Sequence, residues 1–491
     1  MMSDYKYITI PKTISFNDIA QNNYCFAPSK YSKFAPNSKV NYQPLANLCV
    51  ESKEKTSKIN KQDKYFYSEI GDIDVNNGLV NVNSFYGIGL PSDNPKSLKQ
   101  GDILISTVRT YRGGVGFIYD NLTNHCSTPA VLVIRDLKTT EITKEYLFAV
   151  LRTEFFIEQI LGFQNRGMYP RLDSEAMNNV LIPIPKIKKE VEYITALTKA
   201  YLNKINLIKQ RHEKILQLIE DELMNNQKSN QFVFNLPNIG EIEKTGRLDT
   251  GVYSETFKKI KFCIENYQEG TFYINENNIR SGSTPETRYI SFDKKLLFQW
   301  ITPTHCSDYG TLMEERINLV GDNNIKDDCI LLINRTSKGG VGEYVGIAGF
   351  YNYQDLGGGH HNQGMYRVFD YEKYQLIFML AFLNCSIMRK YCANLSVGSK
   401  MKELKIEQFL QIPFPNFPTT KQQEIAKLYH NPIDYPTATF TLENFLTEDS
   451  QYNEQAGIYE LDKTAKQLQN LLNQAIENII NDKPVTISFP N

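Results

Sequence analysis

From about Pro185 to Asn226 the chain sheds its turn residues, and apolar side chains recur at alternating steps of three and four. Val191, Ile194, Thr198, Tyr201, Ile205, Ile208, His212, Ile215 and Ile219 form this seam, which predicts one long helix. At about 1.5 Å per residue it would run roughly 60 Å, longer than a small domain is wide. A seam of that length needs a partner. Ile458, Leu461, Ala465, Leu468, Leu472, Ala475 and Ile479 keep the same alternation near the C-terminus, so the expectation is two long helices packed as an antiparallel coiled coil.

The first 185 residues read differently, as short alternating or β-branched runs punctuated by Gly, Pro and Asn. GDILISTVRTYRGGVGFIYD (101–120) predicts a hairpin with a basic, glycine-rich turn, ITKEYLFAVLRTEFFIEQILG (142–162) an amphipathic helix, and LIPIP (181–185) a strand leading into the long helix. The same order then returns. KDDCILLINRTSKGGVGEYVGIAGFYN (326–352) repeats the hairpin, YEKYQLIFMLAFLNCSIMRKYCA (371–393) the helix, and FLQIPFP (409–415) the strand. The offset is 226 residues at Gly113/Gly339 and 230 at Ile182/Ile412, the signature of a divergent tandem duplication. The predicted fold is therefore mixed α/β (α+β): two similar domains, 1–185 and 231–415, separated by the helix 186–230. A C-terminal region, 416–491, carries the second helix at about 453–481. Antiparallel pairing of the helices would relate the halves by a pseudo-twofold axis and make the pair a ruler for a target with two parts at fixed spacing.

Composition sets the limits. The chain has 491 residues, 41% hydrophobic, with one Trp, long enough for two to four domains with their own cores. It contains no run of about twenty apolar residues, and MMSDYKYITI lacks a charged-then-apolar leader, so a cytoplasmic protein without a membrane segment is expected. Eight cysteines without a CxxC pair fit reduced core thiols and no metal. Net charge is −1, low for a nucleic-acid binder, yet residues 416–491 hold ten acidic and five basic side chains against nine basic and six acidic in 186–230. Contact with DNA has to come from local clusters or be shared with a more basic partner.

IGDIDVNNG (70–78), GDILISTVRTYRGGVG (101–116), HCSTPAVLVIRD (125–136) and ITKEYLFAVLRTEFF (142–156) resemble the first target-recognition domain of a type I restriction–modification specificity subunit. IRSGSTPETRYI (279–290), FQWITPTHC (298–306), ILLINRTSKGGVGEY (330–344) and QIPFPNFPTTKQQEI (411–425) resemble the second, and GRLDTGVYSETF (246–257) the segment that often opens such domains. The resemblance spans nearly the whole chain. It implies a non-catalytic reader of a bipartite double-stranded DNA target, each domain contacting one half while the helices set the gap. It implies two methyltransferase subunits as partners, with two restriction/translocase subunits in the full complex. S-adenosylmethionine, ATP and Mg2+ would belong to those partners, and adenine N6 would be methylated on a flipped base. Two departures are visible: PIPKIKKEVEYI carries Lys and Glu where the family often has Glu-Gln, and about 431–452 is inserted before the final helix.

Candidate DNA-contacting residues follow from chemistry, since Arg and Lys suit guanine and phosphate while Asn and Gln suit adenine. Arg109 and Arg112 flank the first hairpin turn, Arg335 and Lys338 the second; the competing reading is a solvated hairpin end. Gln164, Asn165, Arg166, Tyr169 and Arg171 precede the first exit strand, and Ser399, Lys400 and Lys402 the second; ordinary loop charge is the alternative. Thr302, with Thr304 and His305, follows Trp300, itself read as a core aromatic. His360–His361 lacks ligands at metal spacing and reads as a loop of satisfied or exposed histidines. No catalytic residue is assigned. NPID (431–434) is not an adenine-methyltransferase motif, no GxxxxGK[ST] occurs, and Glu241-Ile-Glu243-Lys244 lacks an upstream Asp partner. The rival readings are the equivalent subunit of a type II system with fused nuclease–methyltransferase partners, a metal hydrolase using His360 and His361, and a protein-assembly scaffold.

Overall fold

The computed structural model describes residues 6–490 apart from positions 10, 22–23, 25–30, 32, 57, 164–171, 173, 230, 285–296, 319–323, 337–343 and 399–400. The chain divides into two compact units: Met1–Asn206 with Asp434–Glu454 and Lys463–Asn491, and Leu207–Ile433 with Gln455–Asp462.

In the first unit, seven strands build two sheets: β1 Cys49–Glu51, β2 Lys64–Ser68, β3 Asn83–Tyr86, β4 Ile103–Ser106, β5 Val115–Phe117, β6 His125–Ser127 and β7 Val131–Leu137. One sheet has the order β1-β7-β4-β5, antiparallel throughout. Its centre is the wholly buried strand Ile103–Ser106, apolar up to its last residue, as a strand covered on both faces requires. In the other, β2 lies between antiparallel β3 and parallel β6, and Lys96–Ser97 adds a short edge.

The second unit repeats this plan strand for strand: β8 Ile279–Ser281, β9 Leu297–Ile301, β10 Arg316–Asn318, β11 Cys329–Ile333, β12 Ala348–Tyr351, β13 Gly359–His361 and β14 Met365–Phe369. The orders are β8-β14-β11-β12 and β10-β9-β13, with the same parallel pair, β9 with β13, in the second sheet. The exit strands match too. Leu181–Pro183 pairs with Tyr42–Pro44, and Phe414–Pro415 with Thr271–Phe272.

The helix expected over 142–162 is two, α1 Lys144–Val150 and α2 Glu154–Phe163. Thr143 caps the first, accepting from the Tyr146 N–H at 3.1 Å, and Thr153 restarts the second by accepting from the Phe156 N–H. Its counterpart in the second unit breaks at extended Cys385 between α4 Lys373–Asn384 and α5 Ser386–Leu395. The long helix is α3 Lys188–Asn225. Its seam residues Val191, Ile194, Thr198, Tyr201, Ile208, Ile215 and Ile219 are buried. All seven C-terminal seam residues are buried as well. Val191, Ile194 and Tyr201 share one core with Ala465, Leu468, Leu472, Ala475 and Ile479. Lys186, just before α3, bonds Asp482 at 2.6 Å, so the start of α3 meets the end of the C-terminal helix and the two run antiparallel there.

The second copy of the long helix is interrupted. After α6 Thr419–Tyr429 the chain makes an excursion containing α7 Phe445–Gln455 and resumes as α8 Ile458–Ile480, five residues later than expected. Buried Glu460 closes the gap. Its Oε2 accepts the N–H groups of both Asn431 and Gly457 at 3.0 Å, and its Oε1 meets His430. The excursion itself docks on α3 in the first unit. There the wholly buried Lys204 ammonium contacts Asp449 at 2.7 Å and Asn453 at 2.6 Å, with the Tyr435 and Tyr452 rings at 4.7 and 4.8 Å.

Candidate nucleic-acid interface

At one end of each unit's sheets, three main-chain hydrogen bonds tie strand ends together. In the first unit the Thr128 N–H donates to the Ser68 carbonyl (3.1 Å), the Thr107 N–H to Ala130 (3.0 Å), and the Leu172 N–H to Thr107 (2.9 Å). These bonds run from the end of β2, through the turn between β6 and β7, to the end of β4 and the segment before the exit strand. The second unit has the same three bonds. The Asn362 N–H donates to Ile301 (2.9 Å), the Asn334 N–H to Gly364 (3.0 Å), and the Leu404 N–H to Asn334 (2.7 Å). Ser68, Thr107, Thr128, Ala130 and Leu172 therefore correspond to Ile301, Asn334, Asn362, Gly364 and Leu404.

The strand register fixes the rest of the correspondence. Leu104 faces Gly116 and Leu331 faces Gly349. A Cβ on Gly116 would lie 2.5 Å from Val80, and one on Gly349 2.4 Å from Leu312, the close approach that only glycine permits. Gly78 and Gly310, with φ of 80° and 81°, accept from the Phe117 and Phe350 N–H groups in turn. The Arg152 guanidinium donates to the Val115 carbonyl where Asn384 holds the Ala348 carbonyl. The match of GGVG at 113–116 with 339–342 thus misplaces the repeat by seven residues at its last glycine, because Gly116 corresponds to Gly349. Gly116 is also a strand residue rather than part of the turn.

Arg109 adopts a left-handed backbone (φ 51°) and starts the 3-10 turn Thr110–Arg112, which left-handed Gly113 closes; Arg112 is exposed. Helix α2 packs against this turn. Gln164, Asn165, Arg166, Tyr169 and Arg171 lie outside the described residues; Leu172, which follows them, is bonded to Thr107. In the second unit Arg335–Thr336 pairs with Lys402–Glu403, Arg335 opposite Glu403 and Thr336 opposite Lys402. Lys338, Ser399 and Lys400 lie outside the described residues. Thr302 follows Ile301, and its hydroxyl bonds that of Thr304 at 2.9 Å. The neighbouring Pro303 lies 3.0 Å from where a Cβ on Gly364 would be. Thr302, Arg335 and Lys402 thus share one edge through Gly364, Asn334 and Leu404. Arg109 and Arg335 are not equivalent, since the three-bond register sets Arg109 against Thr336.

Sequence reasoning missed two features of this edge. One is the frame, whose bonds use no side chain; the other is exposed Gln363 at the turn between β13 and β14, whose place in the first unit is held by exposed Pro129.

His360 and His361 sit in strand β13 rather than in a loop, and both are buried. His360 stacks on Trp300, ring centroids 5.7 Å apart, and bonds Ser283 at 2.9 Å. Trp300 is only half-buried, so it is no core aromatic. Burial, with Arg367 adding repulsion, lowers His361 to about 3, and its Nδ1 meets Asn324 at 2.8 Å. Among the described residues no group of His, Cys, Asp or Glu is placed to hold a metal, and no single helix is long and apolar enough to cross a membrane. Glu241 is paired with Lys258 at 2.9 Å.

Three solved structures are similar to this chain over most of its length. The HsdS subunit from Thermoanaerobacter tengcongensis is 16% identical over 92% of this chain and 99% of its own, with a TM-score of 0.33. A structure from work on complex assembly and conformational transition of the type I R-M system is 16% identical over 91% and 99%, with a TM-score of 0.32. The type I restriction-modification system S subunit from M. genitalium is 13% identical over 93% and 98%, with a TM-score of 0.45. No family model and no curated protein matches the sequence.

Proposed function

We propose that this chain is the DNA-specificity subunit of a type I restriction–modification complex, each unit reading one half of a bipartite double-stranded target. One observation carries the reading. Two units keep the same strand order, register and three-bond frame, yet the residues set on that frame differ: Glu69 against Thr302, Pro129 against Gln363, Arg109 against Thr336. A common frame with different displayed side chains is what two readers of unlike half-sites need. The sequence resemblance supports the same conclusion.

In this reading the chain binds and performs no chemistry. Arg109, Arg112, Arg335 and Lys402 fix phosphates or guanines, while two methyltransferase subunits methylate adenine and restriction/translocase subunits join for cleavage. S-adenosylmethionine, ATP and Mg2+ act on those partners.

The test is adenine-methylation mapping in cells expressing the chain with its neighbouring methyltransferase, before and after exchange of residues 1–185 for those of a relative. A split motif of which one half alone changes is expected. A complex that assembles but methylates no split motif overturns the proposal. Arg166→Ala with Arg171→Ala should relax one half-site alone; equal loss at both halves would contradict the assignment of one unit to one half.

A further inference from the structure

We infer that Gln363 is a base-reading residue of the second unit, directed at an adenine·thymine pair; this rests on the reading above. The side chain is exposed, while its main chain is fastened on every side. The Gln363 carbonyl accepts from Asn334 Nδ2 at 3.1 Å. Before it, the Asn362 N–H is held by Ile301, and Asn362 Oδ1 accepts the Gly364 N–H at 2.6 Å. After it, the Met365 N–H returns to the Asn362 carbonyl at 3.0 Å. A Cβ on Gly364 would meet Pro303 and Asn362 at 3.0 and 3.1 Å, so glycine is the residue that fits there without a neighbour giving way. The fixed backbone sets the point from which the amide reaches, and the three side-chain torsions let it search a short radius about that point.

The surroundings supply the remaining parts of a reader. Asn334 is followed by Arg335 and bonded to Leu404, two residues after Lys402, and Arg335–Thr336 pairs with Lys402–Glu403, so cationic groups for the phosphates stand together beside the frame. A glutamine amide offers one donor and one acceptor side by side, the pair that matches adenine N7 and N6 in the major groove. Pro129, at the same place in the first unit, offers neither. One position on a shared frame therefore carries an adenine-matching amide in one unit and an apolar ring in the other, a difference in readout without a difference in fold.

Adenine-methylation mapping with the full chain and its neighbouring methyltransferase, comparing wild type with Gln363→Ala and Gln363→Glu, tests this. Wild type should give a split motif, and both variants should lose the preference at one adenine·thymine position of one half by about tenfold or more, leaving the other half intact. A split motif unchanged in both variants overturns the assignment of Gln363 and leaves the function standing. Absence of a split motif in the wild type overturns the function, and this inference with it. A folded Gln363→Ala that methylates nothing is resolved by Gln363→Asn, which keeps the amide: retention of adenine at that position supports the assignment and its loss overturns it.

Discussion

Two kinds of buried polar residue make predictions at the scale of single side chains. His125 and His361, one in each unit, are held neutral by burial, which lowers them to about 4 and about 3. Unfolded, each would titrate near 6.5, so below that pH the unfolded chain binds the extra proton. Their contribution to stability is therefore full above about pH 6.5 and is lost as pH falls toward the folded values, at up to about 1.4 kcal/mol per pH unit for each. Urea unfolding between pH 7 and pH 5 should show this decline, and His361→Gln should flatten it. Lys204 is the other case. It lies off the apolar seam, and nothing in the sequence marks it for burial, because its anionic partner Asp449 arrives from an excursion 245 residues later. Lys204→Met should cost about 3–5 kcal/mol by leaving Asp449 buried without its cation. Adding Asp449→Leu should restore much of that, giving a non-additive double-mutant cycle.

Among elements, those set by periodicity were legible and those set by spatial contact were not. The α3 and α8 seams are read directly from their three/four spacing, and burial follows it. The break between α1 and α2 was missed because 142–162 is amphipathic straight through, while the interruption comes from Thr153 capping and from Arg152 turning to the Val115 carbonyl. The glycine register failed for a similar reason. GGVG is the stronger match on paper, but a glycine is required where Val80 or Leu312 presses on the backbone, and that requirement falls on Gly116 and Gly349. Gly116→Ala and Gly349→Ala should each destabilise by about 1–3 kcal/mol through overpacking, measured as a shift in the unfolding midpoint. If only Gly116→Ala did so, the equivalence would be wrong.

The duplication organises the whole molecule and is the part of the architecture the sequence declared most openly, through two motif sets in one order. Of the candidate interface it declared the basic residues but not the frame, since main-chain bonds leave no residue signature. It also located the insertion, as a gap before the final seam, without saying what closes it. Because the Asn431 and Gly457 N–H groups share one Glu460 oxygen, the excursion leaves and returns at the same point. Replacing residues 434–454 by a short Gly/Ser linker should therefore leave the α6–α8 junction intact. The same change should uncover Lys204: native protein should resist amine acylation at Lys204 while Lys188, 86% exposed at its side chain, reacts, and the shortened chain should lose that contrast in peptide mass spectrometry.

The three-bond frame has a consequence for how such a protein changes over generations. Its donors and acceptors are peptide groups, so the bonds themselves require only that Thr107, Thr128, Leu172, Asn334, Asn362 and Leu404 not be proline. The exposed side chains carried on it, such as Pro129 and Gln363, escape much of the usual toll of mutation on folding, whereas buried Leu172, Asn334 and Leu404 do not. A lineage is free to wander from one target to another by single substitutions, each step a folded protein, while the scaffold stays the same.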